Sequence, residues 1–596
     1  MRVPKRLASS IPGPDPRDLC HTGSVTSNAD IAAALQELAR LTELDEETAQ
    51  SFRVRAYEGA VRAVEDLVGD VSAMSETELV AVPGIGKSTA RKIREFVDTG
   101  TIDKLERLRR DYPPGFLELL RVPGLGAKRA KALRDTLGIE DVAGLRSAIE
   151  ARQVREIPGF GARTEENLAA ALERLQQTGK ERRAPIGAAL PLAERIVADL
   201  AAVPGVEAVQ YAGSLRRFRE TIGDIDIVVA ASDHAAVMER FATHPAVARV
   251  IARGDTKSSI VSGEGIQVDV RVVDHSQYGA ALLYFTGSKA HNVHLRQLAL
   301  NRGWTLNEYG LTVLDGGDVV AAATEQEIYE ALGLPFIEPE LREDAGELSG
   351  EPRPELIEPG DIIGDLHVHT DRSGDGESPL AAMAEAAAGR GYSYLAITDH
   401  AINVPPFGIG EEAFLEQRDE IRALQDRFPR LRLLHGAELN IDPEGALDFD
   451  DDFLAGFDWC VASIQSHLHL PAPAQTERLL AAIRHPAVRV IGHPTTRQVA
   501  GRPPIEADWE TVFVAAAESE TVLEVNANPV RLDLPPPMIR RAAELGVMFA
   551  VNTDAHSVDE LKRMSFGVHI ARRGWLERDR VVNAWGADRF LEWALH

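Results

Sequence analysis

Two carboxylates lie two residues apart at the start of an apolar run, Asp224-Ile-Asp-Ile-Val-Val229. In a β-strand, residues i and i+2 point to the same face, so Asp224 and Asp226 project together. Neighbouring carboxylates repel each other unless a positive charge neutralises them, and Mg²⁺ prefers one or two carboxylates together with substrate phosphates. The segment therefore predicts a site for Mg²⁺ or Mn²⁺, although a lone Asp-x-Asp is more often a solvated surface feature.

The residues upstream favour the metal interpretation because they suit a triphosphate. Gly213 and Ser214 form a tight turn whose backbone N–H groups can bind phosphate oxygens, and Arg216 and Arg217 follow at once. A two-metal site needs a third carboxylate. Asp269 lies at the centre of the alternating segment Gln267-Val-Asp-Val-Arg-Val-Val273, which we expect to be a strand.

The pattern Gly-Ser-x-Arg-Arg…Gly-Asp-x-Asp resembles the nucleotidyltransferase signature of the family X DNA polymerases, the polymerase β-like group. The resemblance implies that the incoming nucleotide is bound by Gly213, Ser214, Arg217 and Gly223. It also implies that Asp224, Asp226 and Asp269 hold the metals, and that Asp269 takes the proton from the primer 3′-hydroxyl.

Further motifs extend this resemblance over about residues 28–340. Tyr284-Phe-Thr-Gly-Ser288 resembles the nucleotide-pocket turn of the family, so Tyr284, Phe285 and Gly287 are expected beside the sugar. Asn292 and Arg296 fall where the family contacts the incoming base and the template. An aromatic pair is usually part of a core, and its place before a glycine is what favours the pocket.

Three copies of an apolar-Pro-Gly-apolar-Gly pattern precede helical stretches, at residues 82–86, 122–126 and 157–161. Two glycines allow a tight turn and leave backbone N–H groups exposed at the next helix, which can bind a DNA phosphate without reading sequence. The pattern resembles the helix-hairpin-helix motif. The third copy is expected to be structural because acids follow it. The predicted DNA contacts are Gly84, Gly86, Lys87, Gly124, Gly126 and Lys128.

Lys92 falls where the small lyase domain of polymerase β keeps its Schiff-base lysine. Such a lysine needs a lowered pKa, which the neighbouring cations Arg53 and Arg91 could supply. A solvated lysine that contacts phosphate is the equal alternative.

The second half of the chain is rich in histidine at the ends of β-like runs. His367 and His369 share one strand face in Asp365-Leu-His-Val-His-Thr370, and Ala/Leu-rich helical segments separate the later motifs. This alternation predicts a β/α barrel with its site at the strand ends. Imidazole and carboxylate together suit Zn²⁺ or Mn²⁺ in a multinuclear cluster.

These motifs resemble the polymerase and histidinol phosphatase (PHP) domain. The resemblance implies metal-dependent phosphoester hydrolysis: 3′→5′ exonuclease, abasic-site endonuclease and 3′-phosphatase. One ligand position differs from the family, since Gln465 stands where the family has histidine. An amide is a poorer ligand for a transition metal than an imidazole. The ligands carried over are His367, His369, Asp375, His400, Glu438, His493, Asp554 and His556.

Composition sets the limits of the interpretation. The net charge of −27 argues against a wholly basic nucleic-acid coat protein, but residues 82–135 hold 13 Lys/Arg against 7 Asp/Glu. Cys20 and Cys460 are too far apart for a disulfide framework, and the chain has no membrane-length apolar run. We therefore expect a cytoplasmic, nucleoid-associated protein, without a membrane partner and monomeric.

The sequence thus predicts a multidomain fold that combines helical, α+β and α/β parts. The predicted domains are a disordered leader (1–27), a helical lyase-like DNA-binding domain (28–105), a helix-hairpin-helix fingers-type domain (106–180), a nucleotidyltransferase palm (181–275), a thumb for nucleotide selection (276–340), a linker (341–360) and a PHP metallophosphoesterase domain (361–596).

The function expected from these parts is gap-filling DNA synthesis from dNTPs in base excision repair, with a nuclease that cleans 3′ ends. One alternative keeps the polymerase but makes the barrel weak or only structural, because of Gln465. A non-catalytic protein that binds DNA gaps, or a small-molecule phosphatase with a nucleotidyltransferase partner, agrees less well with three aspartates and three hairpins.

Overall fold

The computed structural model describes residues 28–46, 51–67, 71–112, 127–165, 167–169, 183–314, 316–350 and 353–595, and single residues between 116 and 172. The chain forms two compact units, Met1–Lys180 and Glu181–His596. The leader predicted over residues 1–27 lies outside the described residues. Among the helices that are described, none is both long and apolar enough to span a membrane.

The first unit is helical in its described residues. A capping box of Ser75 and Glu78 begins one helix, and Gly100, with φ of 74°, ends the next in the left-handed conformation that glycine favours. The predicted contacts Gly124 and Gly126 lie outside the described residues. The α-helices are α1 (Asn28–Glu46), α2 (Phe52–Asp66), α3 (Glu76–Ala81), α4 (Lys87–Thr99), α5 (Asp103–Asp111), α6 (Ala127–Leu137) and α7 (Val142–Glu150).

The second unit begins with a five-stranded sheet, here called the central sheet, in the order β2-β4-β7-β6-β5. Strands β4 and β7 run parallel, and the other neighbouring pairs are antiparallel. The elements are β1 (Ala184–Pro185), α8 (Ile186–Ala201), β2 (Val206–Tyr211), α9 (Gly213–Arg216), β3 (Thr221–Ile222), β4 (Asp224–Ala231), α10 (His234–Ala242), β5 (Val247–Arg253), β6 (Lys257–Ser262) and β7 (Gln267–Val273).

A smaller α+β region follows, with an antiparallel sheet in the order β10-β9-β8. A Cβ added at Gly279 would lie 2.2 Å from the carbonyl carbon of Thr324, so a glycine is needed where two elements pack closely. The elements are α11 (Tyr278–Thr286), α12 (Lys289–Leu300), β8 (Trp304–Asn307), β9 (Gly310–Val313), β10 (Val319–Ala321) and α13 (Glu325–Ala331).

The segment 341–360, predicted as a linker, contains several buried side chains among its described residues. Arg342 and Ile357 are fully buried, and Glu347 is nearly so. Arg342 Nη1 donates to Glu325 at 2.5 Å, and Glu347 Oε1 lies 2.7 Å from His291 Nδ1. Two charged groups of the predicted linker, Arg342 and Glu347, are therefore paired inside the protein.

Residues 361–596 form the part of the fold here called the barrel. Its seven strands are parallel neighbours in sequence order, and a bridge between Val368 and Ala555 brings the first strand to the segment after the last. The predicted β/α barrel is therefore nearly closed. The elements are β11 (Gly364–Val368), α14 (Leu380–Gly389), β12 (Tyr394–Ile397), α15 (Glu411–Gln425), β13 (Arg432–Asn440), α16 (Asp451–Leu454), β14 (Trp459–Ser463), α17 (Ala472–Ile483), β15 (Val488–Ile491), α18 (Trp509–Glu518), β16 (Val522–Asn526), α19 (Pro536–Glu544), β17 (Phe549–Asn552), α20 (Met564–Arg573) and α21 (Ala587–Ala594).

Candidate functional site

The three predicted carboxylates lie together at the start of two parallel strands of the central sheet. Asp224 and Asp226 are on β4, and Asp269 is on β7. The register pairs Asp226 with Asp269. Paired residues of neighbouring strands point to one face, as do residues i and i+2 of one strand. The fold therefore gathers all three carboxylates on one face.

The electrostatics of this group favour a bound cation. Burial, together with the charges of Asp224 and Asp269, raises the pKa of Asp226 to about 7. Burial and the charge of Asp269 also raise the pKa of Asp224. Lys257 on β6, which the sequence analysis did not single out, places its Nζ 2.9 Å from Asp269 Oδ2. Buried like charges of this kind fit divalent metal ions held by oxygen ligands.

Gly213 is required at the turn that faces these carboxylates. Its φ is +64°, and a Cβ at this position would lie 2.8 Å from Asp226 Oδ2. Contacts below 3.0 Å are essentially never made by real Cβ atoms. The glycine therefore lets the turn approach the three carboxylates, as the predicted phosphate-binding role of this turn requires.

The two arginines after this turn have different surroundings. Arg216 donates to both carboxylate oxygens of Glu325, at 2.9 and 2.7 Å, which is a structural ion pair. Arg217 Nε donates to Glu343 at 3.1 Å, and its Nη1 would lie 3.1 Å from a Cβ added at Gly287. The fold therefore brings Arg217 beside Gly287, two residues predicted to bind the nucleotide.

The predicted aromatic pair also lies in this region. The rings of Tyr284 and Phe285 meet edge to face, with centroids 5.0 Å apart. Arg271 lies over the ring of Phe285 at 4.5 Å, and Arg296 lies over that of Tyr284 at 5.2 Å. Asn292 Nδ2 donates to the carbonyl of Tyr284 at 2.8 Å. Arg296 and Asn292 are thus held by contacts with Tyr284 of the aromatic pair.

One hairpin glycine of the first unit, Gly84, closely approaches another part of the backbone. Gly84 has φ of +93°, and a Cβ there would lie 3.1 Å from the carbonyl oxygen of Gly59. Lys87 is exposed at the start of α4. In the third copy, the buried Glu165 pairs with Arg155 at 2.6 Å. That copy uses its acid for internal packing, as expected for a structural hairpin.

Lys92 lies on α4 and is half-buried. Its Nζ donates to the hydroxyl and the carbonyl of Ser88, at 3.1 and 3.3 Å. Burial lowers the pKa of Lys92, Glu95 opposes this effect, and Arg53 and Arg91 lower the pKa further. The direction is the one that a Schiff-base lysine needs, but burial rather than the neighbouring cations is the main cause.

In the barrel, the eight predicted ligands converge at one end of the strands. Glu438 is at the centre, because its carboxylate lies 2.7 Å from His400 Nδ1, 2.9 Å from His493 Nε2 and 3.5 Å from His367 Nε2. We call this group the histidine cluster. Its members are His367, His369, Asp375, His400, Glu438, His493, Asp554 and His556.

The other two acids of the histidine cluster link the remaining imidazoles. Asp375 Oδ2 lies 3.2 Å from Nε2 of both His400 and His556. Asp554 Oδ1 lies 3.3 Å from His369 Nε2. Burial opposes the ionisation of Asp554, but nearby histidines outweigh it and hold the pKa of Asp554 well below its usual range. The cluster therefore offers carboxylate and imidazole donors to a common space.

The residues present fit a divalent metal cluster. Within the part of the chain that the structure describes, buried atoms without a hydrogen bond include His367 Nε2, both ring nitrogens of His369, and Glu438 Oε2. Buried polar atoms without partners are costly, and these atoms are the usual donors to Zn²⁺ or Mn²⁺. Two sets of three donors each lie within 4.8 Å of one another, namely His369/His400/His556 and His367/His369/Asp554.

Glu524 on β16 is a functional residue that the sequence analysis missed. It is fully buried, its Oε1 lies 2.8 Å from His367 Nδ1, and its Oε2 accepts from the backbone N–H of His493 at 2.7 Å. A carboxylate that fixes the far nitrogen of a ligand histidine sets its tautomer and orientation. An acid inside the apolar run Val522-Leu-Glu-Val-Asn526 was the signal for it.

Gln465 occupies the position where an imidazole was expected. Its Nε2 donates to Glu438 Oε1 at 2.7 Å, so its side chain is part of the cluster. His467 and His469 are exposed, and His467 Nδ1 is 3.1 Å from the hydroxyl of Ser466. An amide therefore stands at the ninth position, and neither of these two histidines replaces it.

Several known proteins are similar in sequence to this chain. A curated relative, "DNA polymerase/3'-5' exonuclease PolX" of Bacillus subtilis (strain 168), is 39% identical over 560 residues, which cover 93% of this chain and 97% of that protein. The chain belongs to the bacterial family X DNA polymerases with a C-terminal PHP domain. The predicted family is confirmed.

Four family models match parts of the chain. They are "Helix-hairpin-helix domain" at residues 26–102, "SAM-like Helix-hairpin-helix tandem" at 116–174, "DNA polymerase beta thumb" at 281–343 and "PHP domain" at 365–527. These matches confirm the predicted fold class, and the polymerase and PHP domains imply the use of divalent metals.

Two more distant relatives resemble parts of the chain. DNA polymerase lambda of Rattus norvegicus is 26% identical over 351 residues, which cover 53% of this chain and 56% of that protein. A probable phosphatase of Thermoanaerobacter sp. (strain X514) is 28% identical over 232 residues, which cover 37% of this chain and 90% of that protein. The chain thus has similarity to a DNA polymerase and to a protein named as a phosphatase.

Proposed function

We propose that this chain is a DNA polymerase that fills short gaps in base excision repair, and that its barrel is a metal-dependent phosphoesterase acting on DNA 3′ ends. One observation carries the proposal. A single compact unit, Glu181–His596, holds two separate groups of metal-binding side chains, the aspartates of the central sheet and the histidine cluster.

In the polymerase reaction, Asp224, Asp226 and Asp269 would hold two Mg²⁺ or Mn²⁺ ions, which supply activation of the 3′-hydroxyl and neutralisation of the leaving pyrophosphate. Asp269 would accept the proton of the primer 3′-hydroxyl. Gly213 brings the phosphate-binding turn to these carboxylates, and Arg217 would contact the phosphates. Ser214, Gly223, Tyr284, Phe285, Gly287 and Asn292 complete the proposed nucleotide site.

The first unit would bind the gapped or primed DNA. The hairpin turns would contact phosphates through backbone N–H groups and through Lys87 and Lys128, independently of sequence. Lys92 would be the lyase nucleophile, in keeping with its lowered pKa. We further propose that the protein acts as a monomer in the cytoplasm, associated with the nucleoid.

In the barrel, the histidine cluster would hold Mn²⁺ or Zn²⁺, which supply an activated water and neutralise the phosphate charge. The central carboxylate of Glu438 would bind metal together with the imidazoles around it, and Glu524 would fix the orientation of His367. The proposed reactions are 3′→5′ exonuclease, abasic-site endonuclease and 3′-phosphatase activity.

The alternative of a weak or only structural barrel depends on Gln465. Its amide contacts Glu438, and an amide binds transition metals less well than an imidazole. We favour an active barrel because imidazole and carboxylate donors lie close enough together to share a metal ion, and the buried carboxylate of Glu524 contacts His367.

A 5′-labelled primer at a one-nucleotide gap tests both activities in Mn²⁺, with and without dNTPs. We expect the wild type to extend the primer with dNTPs and to shorten it without them. Asp269→Ala should lose extension and keep shortening, whereas His400→Ala should show the reverse. Extension by Asp269→Ala would refute the polymerase site. A wild type that does neither would be a gap-binding protein.

A further inference from the structure

The loop that carries the proposed triphosphate contacts contains one residue with an unfavourable backbone conformation. We call residues 213–220 the nucleotide loop. Phe218 in this loop has φ of +56°, a conformation that is uncommon for a bulky side chain. Such a conformation persists only when its surroundings fix it. Part of this support is local, because the N–H of Phe218 donates to the Leu215 carbonyl at 3.0 Å and that of Arg219 to the Ser214 carbonyl at 2.9 Å. The side-chain contacts of Phe218 show what else holds the loop.

Those contacts come from the barrel. Phe218 is 3% exposed, its ring stacks on His569 with centroids 4.2 Å apart, and it meets Phe566 edge to face at 5.6 Å. Arg573 Nη1 donates to the Phe218 carbonyl at 3.4 Å. Residues 566, 569 and 573 are three and four positions apart, so they share one face of α20. This face receives the Phe218 ring.

Helix α20 is itself anchored in the barrel. A Cβ added at Gly567 would lie 2.6 Å from Val551 on β17 and 2.8 Å from Ala527 after β16. His569 Nδ1 lies 2.7 Å from Glu340 Oε1, and Arg572 Nε donates to the same oxygen at 2.8 Å. The ring that stacks on Phe218 is therefore held in place from behind.

A second barrel element holds the end of the nucleotide loop. Arg497 Nη2 donates to Glu220 Oε1 at 2.8 Å, and Arg497 Nε donates to the carbonyl of Arg531 at 3.1 Å. Its guanidinium is thus fixed by a barrel loop while it binds the nucleotide loop. Glu220 lies four residues before Asp224, so the contact is close in sequence to the metal-binding strand.

The barrel also shares the carboxylate that holds Arg217. Glu343 Oε1 lies 3.1 Å from Arg217 Nε, 3.7 Å from Arg219 Nη1 and 4.0 Å from Arg573 Nη2. Three guanidinium groups around one carboxylate make the position of each depend on the others. A change at Arg573 would therefore reach the proposed phosphate contact.

We propose that the barrel positions the nucleotide loop for dNTP binding, acting through Phe218 and Glu220. This inference rests on the proposed polymerase function. His569, Phe566, Arg573 and Arg497 are positioning residues in it. When a binding-competent state is populated only in part, the apparent affinity falls by that fraction. A loop that keeps its geometry one-tenth of the time would raise the KM for dNTP about tenfold, with little change in kcat.

Full-length His569→Ala and Phe566→Ala test the proposal in one-nucleotide gap filling, with exonuclease rate and melting temperature as checks on the barrel. We expect KM for dNTP to rise about tenfold, kcat to stay within about twofold, and the exonuclease rate to be unchanged. His569→Phe keeps a ring against Phe218 and should restore KM. A KM within about twofold of wild type in both alanine variants would overturn the proposal.

Arg540→Ala is the matched control. Arg540 also connects the barrel to the residues that precede it, but it does so away from the nucleotide loop. Its Nη1 donates to the Ala345 carbonyl at 2.9 Å, and its guanidinium lies 4.3 Å from the Trp575 ring. Arg540→Ala should leave the KM for dNTP unchanged. If it raises KM as much as His569→Ala does, any weakened contact with the barrel has this effect, and Phe218 has no specific positioning role.

Equilibrium binding of a fluorescent dNTP and hydrogen exchange of the wild-type chain complete the test without turnover. If dNTP binding and the α20 contacts are linked, dNTP must slow exchange in residues 564–573 as well as in the nucleotide loop. Unchanged exchange in this helix would overturn the proposal even if a variant failed to fold. A wild type that binds dNTP but cannot extend a primer would refute the polymerase function alone.

Discussion

Gly213→Ala separates the geometry of the polymerase site from the stability of the fold. The new Cβ would lie 2.8 Å from Asp226 Oδ2, whereas ordinary contacts begin at 3.4 Å. The carboxylate must therefore move by more than half an ångström, or the turn must move with its phosphate contacts. A shift near 1 Å at a reacting group costs about 100-fold in rate. The left-handed φ of +64° adds about 1 kcal/mol of strain.

We therefore expect kcat/KM for gap filling to fall about 100-fold in Gly213→Ala, with a small loss of stability. Gly205→Ala is the control, because Gly205 has φ of +85° and its nearest neighbour is Ser232 Oγ at 3.1 Å, away from the aspartates. Both variants should keep the wild-type exonuclease rate, measured in the same preparation. The reasoning is refuted if Gly213→Ala stays within about threefold of wild type, or if Gly205→Ala loses as much.

Three further predictions concern the barrel and its contacts. Glu524→Gln should lower the exonuclease rate and the Mn²⁺ affinity about 10- to 100-fold and leave gap filling unchanged. An exonuclease rate equal to that of the wild type would show that the carboxylate does not orient His367. Gln465→His should lower the Mn²⁺ concentration for half-maximal exonuclease about tenfold, whereas a 100-fold rise in the maximal rate would mean that the natural barrel is a scaffold. Glu340 is buried, yet its histidine and arginine partners outweigh burial and lower its pKa from 4.5 to about 2. Since the folded-state pKa is the lower one, its stabilisation is complete above the unfolded pKa and is lost as the pH falls. Between pH 7 and pH 3, the free energy of unfolding measured with urea should therefore fall about 2 kcal/mol more in the wild type than in Glu340→Gln. The same pH dependence of this free energy in both proteins would contradict the prediction.

Much of both sites could be predicted because local periodicity places the residues. Asp224 and Asp226 share a face in any strand, and so do His367 and His369. The glycine-rich turns also need no tertiary information, since Gly84 must adopt a positive φ to let the hairpin close. These features depend only on neighbours in sequence, so the motifs that carry the family resemblance can be recognised without the fold.

The roles of several charged residues could not be predicted, because their partners are distant in sequence. Glu524 is 157 residues from His367, and Lys257 meets Asp269 only because β6 pairs with β7. Arg342 lies in the segment predicted as a linker, which is rich in Pro and Glu and poor in apolar residues, yet its side chain is fully buried. A charge in a sequence does not say whether water or another charge neutralises it.

The sequence by itself determined which side chains do the proposed chemistry, since the strand period and the turn residues fix their local direction. Only the tertiary structure decided what holds them in place. The positive φ of Phe218 belongs to a local turn, because the N–H of Phe218 donates to Leu215 and that of Arg219 donates to Ser214 at the end of α9. What this turn packs against is not local, since the ring of Phe218 stacks on His569, 351 residues later in the chain. Packing joins segments whose separation no local pattern records, and the support of a site is therefore decided by the fold.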